Sequence, residues 1–274
     1  MTWTILVLVV AIALFLFGGM LIKGDGKKMT TGAIFAKKTI KLVSVLLIAG
    51  CVVRLYVPYY LTSVNPSIVQ EMIAGMQEQQ NAQKNKAIRS FVRSNGDKMS
   101  AHAPVMGKRN AKNTIYVWTD FSCPYCRRVH GELERVLAER DDVRVVVKNF
   151  SIHGPLSDGP ARAVIAANMQ DEAKADALVR MLMNREFYTQ EDLSDQSKIA
   201  EKVEANVMKM AAEAGLDTAK LKQDMTSQTV SEELANVRDL AQQFEISGTP
   251  FLIIGEQAFP GAIPYGQIMD ALNK

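Results

Sequence analysis

The sequence has few of the residues that most often bind metal ions. Only three cysteines and three histidines, His102, His130 and His153, occur among 274 residues. A structural zinc site needs four cysteine or histidine ligands, and here one close cysteine pair has no second pair to complement it. The sequence therefore disfavours a structural zinc site, although two thiols could still bind a soft metal such as Cu(I).

The chain also lacks a large excess of charge and a basic face. Its net charge is +3, and residues 23–41, with six lysines against one acid, account for more than that excess. No internal repeat is found along the chain. Nothing in the sequence therefore predicts binding to nucleic acid.

Two long apolar runs lie near the N-terminus. Residues 5–22 carry no charge, and as a helix they would span about 27 Å, close to the hydrocarbon thickness of a bilayer. Because a signal peptide normally starts with a basic segment, which is missing here, the run favours an uncleaved span. The second run, Leu42–Leu61, contains Arg54 and Pro58. An arginine deep in a span costs roughly 2.5–3.5 kcal/mol unless it reaches the interface, so an interfacial or buried helix is the alternative.

We expect a membrane anchor over residues 1–64, with transmembrane segments at about 4–22 and 42–61. The lysine-rich loop between them is predicted to be cytoplasmic, because basic loops stay on that side. Everything after about Leu61 is then exported. We therefore expect a protein of the bacterial inner membrane whose soluble domain lies in the periplasm, where disulfides persist.

A polar, glutamine-rich segment follows the second apolar run. Apolar residues recur every three or four positions within residues 66–98, which predicts an amphipathic helix that ends at Ser94–Asp97. Residues 65–102 are thus expected to form a helical stalk or linker. If the apolar face self-associates, residues 66–98 would make the protein a homo-oligomer.

From residue 103 onwards, strand and helix patterns alternate. The β-branched and aromatic residues of one segment predict a strand, and later apolar residues at helical spacing predict helices. The predicted order is a strand at Ile115–Trp118, a helix from Pro124, a strand from Asp141, helices over about 160–243, a hairpin at Phe251–Phe259 with its turn at Gly255–Glu256, and a last helix from Tyr265. This order predicts an α/β fold with an all-α insertion.

Cys123 and Cys126 lie where the predicted strand gives way to a helix, in the stretch "FSCPYC". A thiol attacks only as the thiolate, and the N-terminus of a helix stabilises an anion. With Cys123 at the N-cap, Pro124 takes the first helical position, where its missing N–H costs nothing. The pattern predicts a redox pair in which Cys123 forms a mixed disulfide and Cys126 resolves it.

Other roles for the cysteines can be weighed. Covalent haem attachment needs a histidine directly after the second cysteine, and Arg127 stands there instead. Two buried thiols on a helix would be the simplest structural alternative. Cys51 lies in the second apolar run and is interpreted as a small apolar residue.

Three stretches resemble the DsbA-like thiol-disulfide oxidoreductases of the thioredoxin superfamily. They are "FSCPYC" after a strand, "FSIHGPLSDGPARAVIAA" from Phe150, and "GTP" before the final hairpin, and the resemblance is closest to the DsbG and ScsC types. It implies a thioredoxin-like fold over residues 103–274, with Cys123 as the exposed nucleophile and Cys126 as the buried resolving thiol. No cofactor is implied beyond the redox-active Cys123–Cys126 disulfide, and no metal.

The resemblance also implies supporting residues. Thr249 and Pro250 match a cis-proline loop that holds the substrate as an added strand, and Pro124 and Tyr125 lie between the cysteines. Many superfamily members bury an acid on the strand, where this chain has Val117 and its neighbours. The nearest carboxylate, Asp120, either shuttles a proton or caps a turn. His130 either stabilises the thiolate or lies exposed on the helix surface.

Two functions remain open at this point. The first is a membrane-anchored, periplasm-facing oxidoreductase that exchanges disulfides with exported, cysteine-containing proteins and with a membrane redox partner. Whether it oxidises, isomerises or reduces depends on its redox poise and on that partner. The alternative is a non-enzymatic envelope assembly protein that holds client proteins or copper on a thioredoxin-like domain.

Overall fold

The computed structural model describes residues 2–17, 31–60, 63, 66–194, 197–255 and 257–273. The chain divides into two compact units, with the boundary between Gln80 and Asn81. In chain order, the helices and strands are α1 (Thr2–Phe17), α2 (Thr31–Tyr59), α3 (Pro66–Ser100), β1 (Val105–Gly107), β2 (Asn113–Thr119), α4 (Pro124–Glu139), β3 (Val143–Asn149), α5 (Pro155–Gln170), α6 (Glu172–Asn184), α7 (Gln190–Ser194), α8 (Ile199–Glu213), α9 (Thr218–Asp224), α10 (Gln228–Gln243), β4 (Phe251–Ile254), β5 (Gln257–Pro260) and α11 (Tyr265–Leu272).

The first unit contains two apolar helices, α1 and α2, that pack on each other. Ala11, Ser44 and Cys51 are buried, whereas most other apolar side chains of the two helices are exposed. Among the described residues, one helical segment, Ile34–Tyr59, is long and apolar enough to cross a membrane, and Thr4–Phe17 is a shorter apolar helix. The rest of the first predicted span lies outside the described residues.

The predicted lysine-rich loop is partly helical in the structure. Residues 23–30 lie outside the described residues, but Lys37, Lys38 and Lys41 belong to α2. Lysine is a good helix former, and its long stem lets the ammonium group extend beyond apolar neighbours. The helix therefore begins at Thr31 rather than at Leu42.

Helix α3 continues past Ser94–Asp97, where the sequence predicts its end. Gly96 does not break the helix but allows close approach of the Tyr116 ring. The Tyr116 hydroxyl donates to the Gly96 carbonyl at 3.3 Å, and a Cβ at residue 96 would lie 3.2 Å from that hydroxyl oxygen. Ile88 and Met99 are buried in the core of the second unit. Burial of this face stabilises the extra turn, as tertiary packing commonly does for helices.

The two parts of α3 therefore differ. Residues 81–100 of the expected stalk pack within the second unit. The part before Gln80 keeps its larger apolar side chains exposed, namely Ile68, Met72, Ile73 and Met76.

Five strands of the second unit form one sheet in the order β1-β3-β2-β4-β5. Strands β2 and β3 are parallel, and the other neighbours are antiparallel. The register places Val117 opposite Val147 of β3 and Leu252 of β4. Because a parallel pair needs a crossover connection, α4 must leave the end of β2 and return the chain to the start of β3.

Alternate residues of β2 serve two different cores. Ile115 and Val117 belong to a core shared with α4, α11 and most of the helical insert. Tyr116 and Trp118 belong to a second core shared with α10 and residues 81–100 of α3. Trp118 Nε1 donates to the Val237 carbonyl at 3.3 Å, so its buried polar atom is satisfied.

The expected order of strand, helix, strand, helical insert, hairpin and helix is confirmed. The insert begins earlier than predicted, at Pro155. Strand β1 was not predicted, because three residues are too few to show a periodic pattern, and only its pairing with β3 reveals it. In the predicted hairpin turn, Gly255 has φ +56°, which favours glycine, and Glu256 lies outside the described residues.

Candidate active site

The two cysteines lie at the junction of β2 and α4. Cys123 is the N-cap residue with extended backbone (φ −80°, ψ 120°), and Pro124 lies in the first helical turn. The Cys123 carbonyl accepts hydrogen bonds from the amides of Cys126 (3.1 Å) and Arg127 (3.2 Å). Cys126 thus lies one turn inside the helix, as the sequence predicts.

Both thiols are free and shielded from water. Cys123 is 5% exposed and Cys126 is 1% exposed. Cys123 is therefore the more accessible thiol, but it is less exposed than the resemblance implies.

The loop before β4 accounts for part of this shielding. The Thr249–Pro250 peptide bond is cis, and the Cys123 thiol donates to the Thr249 carbonyl at 3.6 Å. Antiparallel pairing of β4 with β2 brings this loop to the cysteines, since Phe251 lies opposite Trp118. The structure therefore places Thr249 and Pro250 beside the cysteine pair, although they are far from it in the sequence.

The second thiol is held in its protonated form. Burial raises the pKa of Cys126 to about 12, although hydrogen bonding from the Thr119 side chain and the Asp120 amide opposes the rise. The Asp120 amide donates to Cys126 Sγ at 3.5 Å. A thiol with this pKa must lose its proton to some acceptor before it can attack a disulfide.

Asp120 is the centre of a buried polar network, the Asp120 cluster, formed by Asp120, Ser122, Ile152, His153 and Ser157. Asp120 Oδ1 accepts from the Ser122 amide (2.9 Å), the Ser122 hydroxyl (2.7 Å) and the Ser157 hydroxyl (2.8 Å). Asp120 Oδ2 accepts from the Ile152 amide (2.8 Å), the Ser157 hydroxyl (2.7 Å) and His153 Nδ1 (2.9 Å). The carboxylate therefore joins the residues before Cys123 to the start of α5.

These contacts keep Asp120 ionised. Burial raises the pKa of its carboxyl group, but hydrogen bonds from Ile152, Ser122, His153 and Ser157 outweigh burial and lower the pKa below its ordinary value. A carboxylate held in this way is a weak proton acceptor. The geometry favours the turn-anchoring interpretation of Asp120 over the proton-shuttling one.

Sequence reasoning did not assign roles to Ser122, His153 and Ser157. The stretch "FSIHGPLSDGPARAVIAA" contains His153 and Ser157, but in the sequence it indicates only the resemblance to the family. That stretch supplies Ile152, His153 and Ser157 to the Asp120 cluster. Their convergence depends on α5 beginning beside the end of β2, and this proximity is a tertiary feature.

His130 is buried, so the interpretation of an exposed surface histidine is wrong. It is 3% exposed, because the face of α4 that carries Cys126, Val129 and Leu133 packs into the core. Burial lowers the pKa of His130, as does the positive charge of Arg180, while Glu134 and Asp176 raise it. The imidazole is therefore neutral at pH 7, and it does not act as a cation beside the thiols.

Tyr125 lies on the surface between the cysteines. Its side chain is 59% exposed, and the Arg128 guanidinium lies 5.7 Å from its ring centroid. Arg127 instead donates to the Arg185 carbonyl at 3.0 Å. Tyr125 is thus available for contact with another molecule, whereas Arg127 supports the helical insert.

A groove of about 490 Å³ lies beside the cis-proline loop. Thr249 and Pro250 form one side, and residues of α3 form another, where Lys84 pairs with Glu245 at 3.6 Å. Asn85 Oδ1 accepts from the Ala258 amide of the edge strand β5 at 3.3 Å. The groove offers room for a polypeptide segment beside Thr249, whose carbonyl contacts Cys123.

In the part of the chain that the structure describes, no cluster of three or more histidine, cysteine or acidic side chains could hold a metal ion.

A mixed five-stranded sheet with a cysteine pair facing a cis-proline defines the thioredoxin-fold class of proteins. A family model described as thioredoxin matches residues 99–274, and the chain belongs to this family. The predicted resemblance to DsbA-like thiol-disulfide oxidoreductases is confirmed.

Two solved structures illustrate the similarity. A thioredoxin-like oxidoreductase from Silicibacter pomeroyi is 31% identical, covers 65% of this chain and 95% of its own, and has a TM-score of 0.55. The ScsC protein of Proteus mirabilis is 26% identical, covers 81% of this chain and 94% of its own, and also has a TM-score of 0.55. The second match extends beyond the family domain in this chain.

Two curated relatives match about three-fifths of the chain. Disulfide bond formation protein D of Bacillus subtilis is 20% identical over 175 residues, which are 62% of this chain and 76% of that protein. The Na(+)/H(+) antiporter NhaA 1 of Mycolicibacterium gilvum is 26% identical over 172 residues, 62% of this chain. The match spans only 26% of the antiporter, so a related domain also occurs within a much longer protein.

Proposed function

We propose that this protein is a membrane-anchored thiol-disulfide oxidoreductase that exchanges disulfides with exported proteins through Cys123 and Cys126. The observation that carries the proposal is the contact between Cys123 Sγ and the Thr249 carbonyl, at 3.6 Å. It puts the more accessible thiol at a helix N-cap and directly beside the backbone of the cis-proline loop. Similarity to thioredoxin-like oxidoreductases supports the same chemistry.

The proposed exchange has two steps, which can run in either direction. In the reductive direction, the Cys123 thiolate attacks a substrate disulfide, forms a mixed disulfide and releases one substrate thiolate. Cys126 then attacks Cys123 Sγ, so the Cys123–Cys126 bond forms and the second substrate thiolate leaves. Two electrons pass from the enzyme dithiol to the substrate disulfide, and each released thiolate takes up a proton.

The groove beside Thr249 is proposed to hold the substrate. An extended peptide can add to exposed backbone groups as a strand, and the Thr249 carbonyl lies next to the reacting sulfur. Because backbone atoms make this contact, we expect recognition of many exported, cysteine-containing sequences. Tyr125, exposed between the thiols, is placed to touch the same substrate.

Membrane attachment is proposed for residues 1–64, with two spans at about 4–22 and 42–61. Support comes from the apolar helix Ile34–Tyr59, from the shorter apolar helix Thr4–Phe17, and from the lysines between the apolar runs. This topology places the catalytic domain in the periplasm of a bacterial inner-membrane protein. A membrane redox partner would then return the dithiol to its working redox state.

Self-association is proposed for α3. Because residues 81–100 pack within the second unit, the exposed apolar residues of the part before Gln80 are the ones offered to another copy. They are Ile68, Met72, Ile73 and Met76. An apolar stripe at helical spacing suits a coiled-coil contact.

Trapping of mixed disulfides tests the catalytic proposal. A Cys126→Ala variant cannot resolve the first intermediate, so exported proteins should accumulate in disulfide linkage to Cys123. The double variant Cys123→Ser, Cys126→Ala is the matched control and should capture none. If the single variant captures no exported protein, the oxidoreductase proposal is wrong. If Cys123→Ser retains full function in cells, a client-holding scaffold is the better explanation.

A reporter fused after Leu61 tests the topology separately. A reporter enzyme that works only in the periplasm should be active when it is fused after Leu61. A reporter that works only in the cytoplasm should be inactive at the same position. The opposite result would contradict the proposed orientation, whatever the outcome of the trapping experiment.

A further inference from the structure

A small cavity lies directly behind Cys126. Its volume is about 10 Å³, close to the lower limit of about 10–15 Å³ for one water molecule. Thr119, Cys126 and His130 line it, and every other lining residue is apolar. Val117 of β2 forms part of this wall.

His130 lacks the partners that buried polar groups usually have. It follows Cys126 by four residues on the same face of α4, and among the described residues its Nε2 atom has no hydrogen-bond partner. Glu134 Oε1 lies 3.4 Å from Nε2, within ion-pair distance but without an aligned hydrogen bond, and it accepts from Arg180 Nη1 at 3.0 Å and Asn184 Nδ2 at 3.3 Å. A buried polar atom without a hydrogen-bond partner lowers stability by roughly 1–3 kcal/mol. A purely structural role for His130 would not offset this loss.

The proton on Cys126 needs an acceptor inside the protein. The Asp120 carboxylate accepts hydrogen bonds from five donor groups within the Asp120 cluster, and it does not line the cavity. Apart from Cys126 itself, His130 is the one titratable side chain among the described residues of the cavity wall.

We propose that the imidazole of His130 accepts the proton of Cys126 when the mixed disulfide is resolved, and returns it in the reverse reaction. This inference rests on the proposed function. The proton passes through the cavity, directly or by way of one water molecule.

The Cys126 S–H bond breaks, and its proton binds the neutral imidazole, which becomes imidazolium. The Cys126 thiolate attacks Cys123 Sγ, the bond between Cys123 and the substrate sulfur breaks, and the substrate leaves as a thiolate that is protonated by solvent. The imidazolium then releases its proton on the side of Glu134, whose side chain is 28% exposed.

The charges around His130 set the direction of the pH effect. Glu134 on α4 and Asp176 on α6 favour the imidazolium, whereas burial and Arg180 on α6 disfavour it. Burial dominates, so the pKa of His130 lies below its ordinary value. Resolution should therefore be slow at acid pH and rise to a plateau through an inflection below about pH 6.5.

Single-turnover kinetics of His130→Gln test the proposal. The reduced full-length protein in detergent is mixed with a disulfide-bonded peptide, quenched with acid, and analysed by mass spectrometry for the mixed disulfide at Cys123. At pH 7.5 we expect formation of the mixed disulfide to stay within about twofold of wild type. Its resolution should slow by about 10²-fold, the lower end of general acid–base contributions, and should lose the inflection.

His102→Gln is the matched control, because His102 is exposed and outside the cavity. Both of its rates should equal those of wild type. If His130→Gln resolves the mixed disulfide at the wild-type rate with the same inflection, the inference is wrong while the proposed function stands. If the wild-type protein forms no mixed disulfide at all, the proposed function fails, and this inference fails with it.

Glu134→Gln provides a second test that does not depend on the folding of the His130 variant. Removal of this negative charge lowers the pKa of His130 further, so the inflection in the resolution rate should move to lower pH. The amide oxygen can still accept from Arg180. An unchanged inflection would show that another group controls the step.

Discussion

The Asp120 cluster and the cavity at His130 both adjoin the cysteine pair, yet they treat a buried polar group in opposite ways. Asp120 accepts from the Ser122 hydroxyl on Oδ1 and from the Ile152 amide and His153 Nδ1 on Oδ2. In contrast, His130 Nε2 has no hydrogen-bond partner among the described residues. Hydrogen bonds keep the carboxylate charged, and burial keeps the imidazole neutral.

The difference separates an anchoring role from a proton-transfer role. A charge stabilised by several donors changes its protonation state only at extreme pH, so it holds the active-site turn in place. A neutral base in a mostly apolar cavity can gain a proton during a reaction, because its Nε2 atom has no hydrogen bond that must break first. Sequence position alone suggests the reverse, since Asp120 is the carboxylate nearest to Cys123.

Loss of the Asp120 carboxylate should have the largest effect on stability. Asp120→Ala leaves the buried Ser122 amide and the part-buried Ile152 amide without their acceptor, which should lower the free energy of unfolding by about 3 kcal/mol. Chemical denaturation of the purified reduced protein measures it. Asp158→Ala, at an exposed carboxylate in the first turn of α5, should change stability by only about 0.5 kcal/mol. Equal losses in the two variants would contradict the anchoring role.

A hydroxyl group in the wall of the cavity behind Cys126 should lower the stability of the protein. Val117→Thr keeps the side-chain shape but adds a polar group to an apolar surface, and we expect a loss of about 1–3 kcal/mol in denaturation experiments. Val117→Ala reports the effect of lost apolar volume without a hydroxyl. A neutral or stabilising threonine would mean that the cavity is more polar than its lining indicates.

Titration of His130 should make the stability of the protein depend on pH below about pH 6.5. Its pKa is lowered in the folded protein, so the unfolded chain binds more protons below about pH 6.5, and stability falls as the pH drops from there towards the folded pKa. The loss is about 1.4 kcal/mol for each unit of lowering. The matched variant His130→Gln should lack this loss, which unfolding curves at pH 5 and pH 7.5 would show.

Asp120 should affect the pH dependence of stability in a separate, more acidic pH range. Its folded pKa is below the ordinary value, so its stabilisation is fully present above about pH 3.9 and is lost as the pH falls through the folded pKa. The stability difference between wild type and Asp120→Asn should be constant from pH 5 to pH 8 and shrink below about pH 4. A difference that changed near pH 6 instead would point to a different titrating partner.

His153→Gln should have the smallest effect. The side chain of His153 is 41% exposed, and glutamine can replace its hydrogen bond to Asp120. We expect at most about 1 kcal/mol of destabilisation and unchanged resolution of the mixed disulfide. Slower resolution in this variant, at unchanged stability, would move the proton-transfer role to the Asp120 cluster.

Much of the fold could be predicted, because its elements carry strong local patterns. The valine-rich strand, the proline after Cys123 and the alanine-rich helices of the insert each match a structural period. Strand β1 and the last turn of α3 could not be predicted. Both depend on partners distant in sequence, since β1 forms by pairing with β3 and Gly96 packs under Tyr116.

The candidate site shows the same division. The positions of Cys123 and Cys126 follow from "FSCPYC" at the junction of a strand and a helix, and Thr249 and Pro250 were expected from "GTP" by resemblance. The burial of His130 could not be predicted, because a histidine at helical spacing suits either an exposed or a buried face. Only the packing of α4 against the core decided between them.

By itself, the sequence determined the reactive groups and the main local elements. They are two thiols at the start of a helix, an apolar N-terminal region and a helical insert. These are local properties, encoded in residue type and spacing along one segment. Tertiary structure decided which groups surround the thiols, because contacts between β2, α4, α5 and the cis-proline loop join residues far apart in the chain. The same packing made Asp120 a fixed charge and His130 a neutral base, since burial and hydrogen bonding, rather than residue type, set the proton affinity of each group.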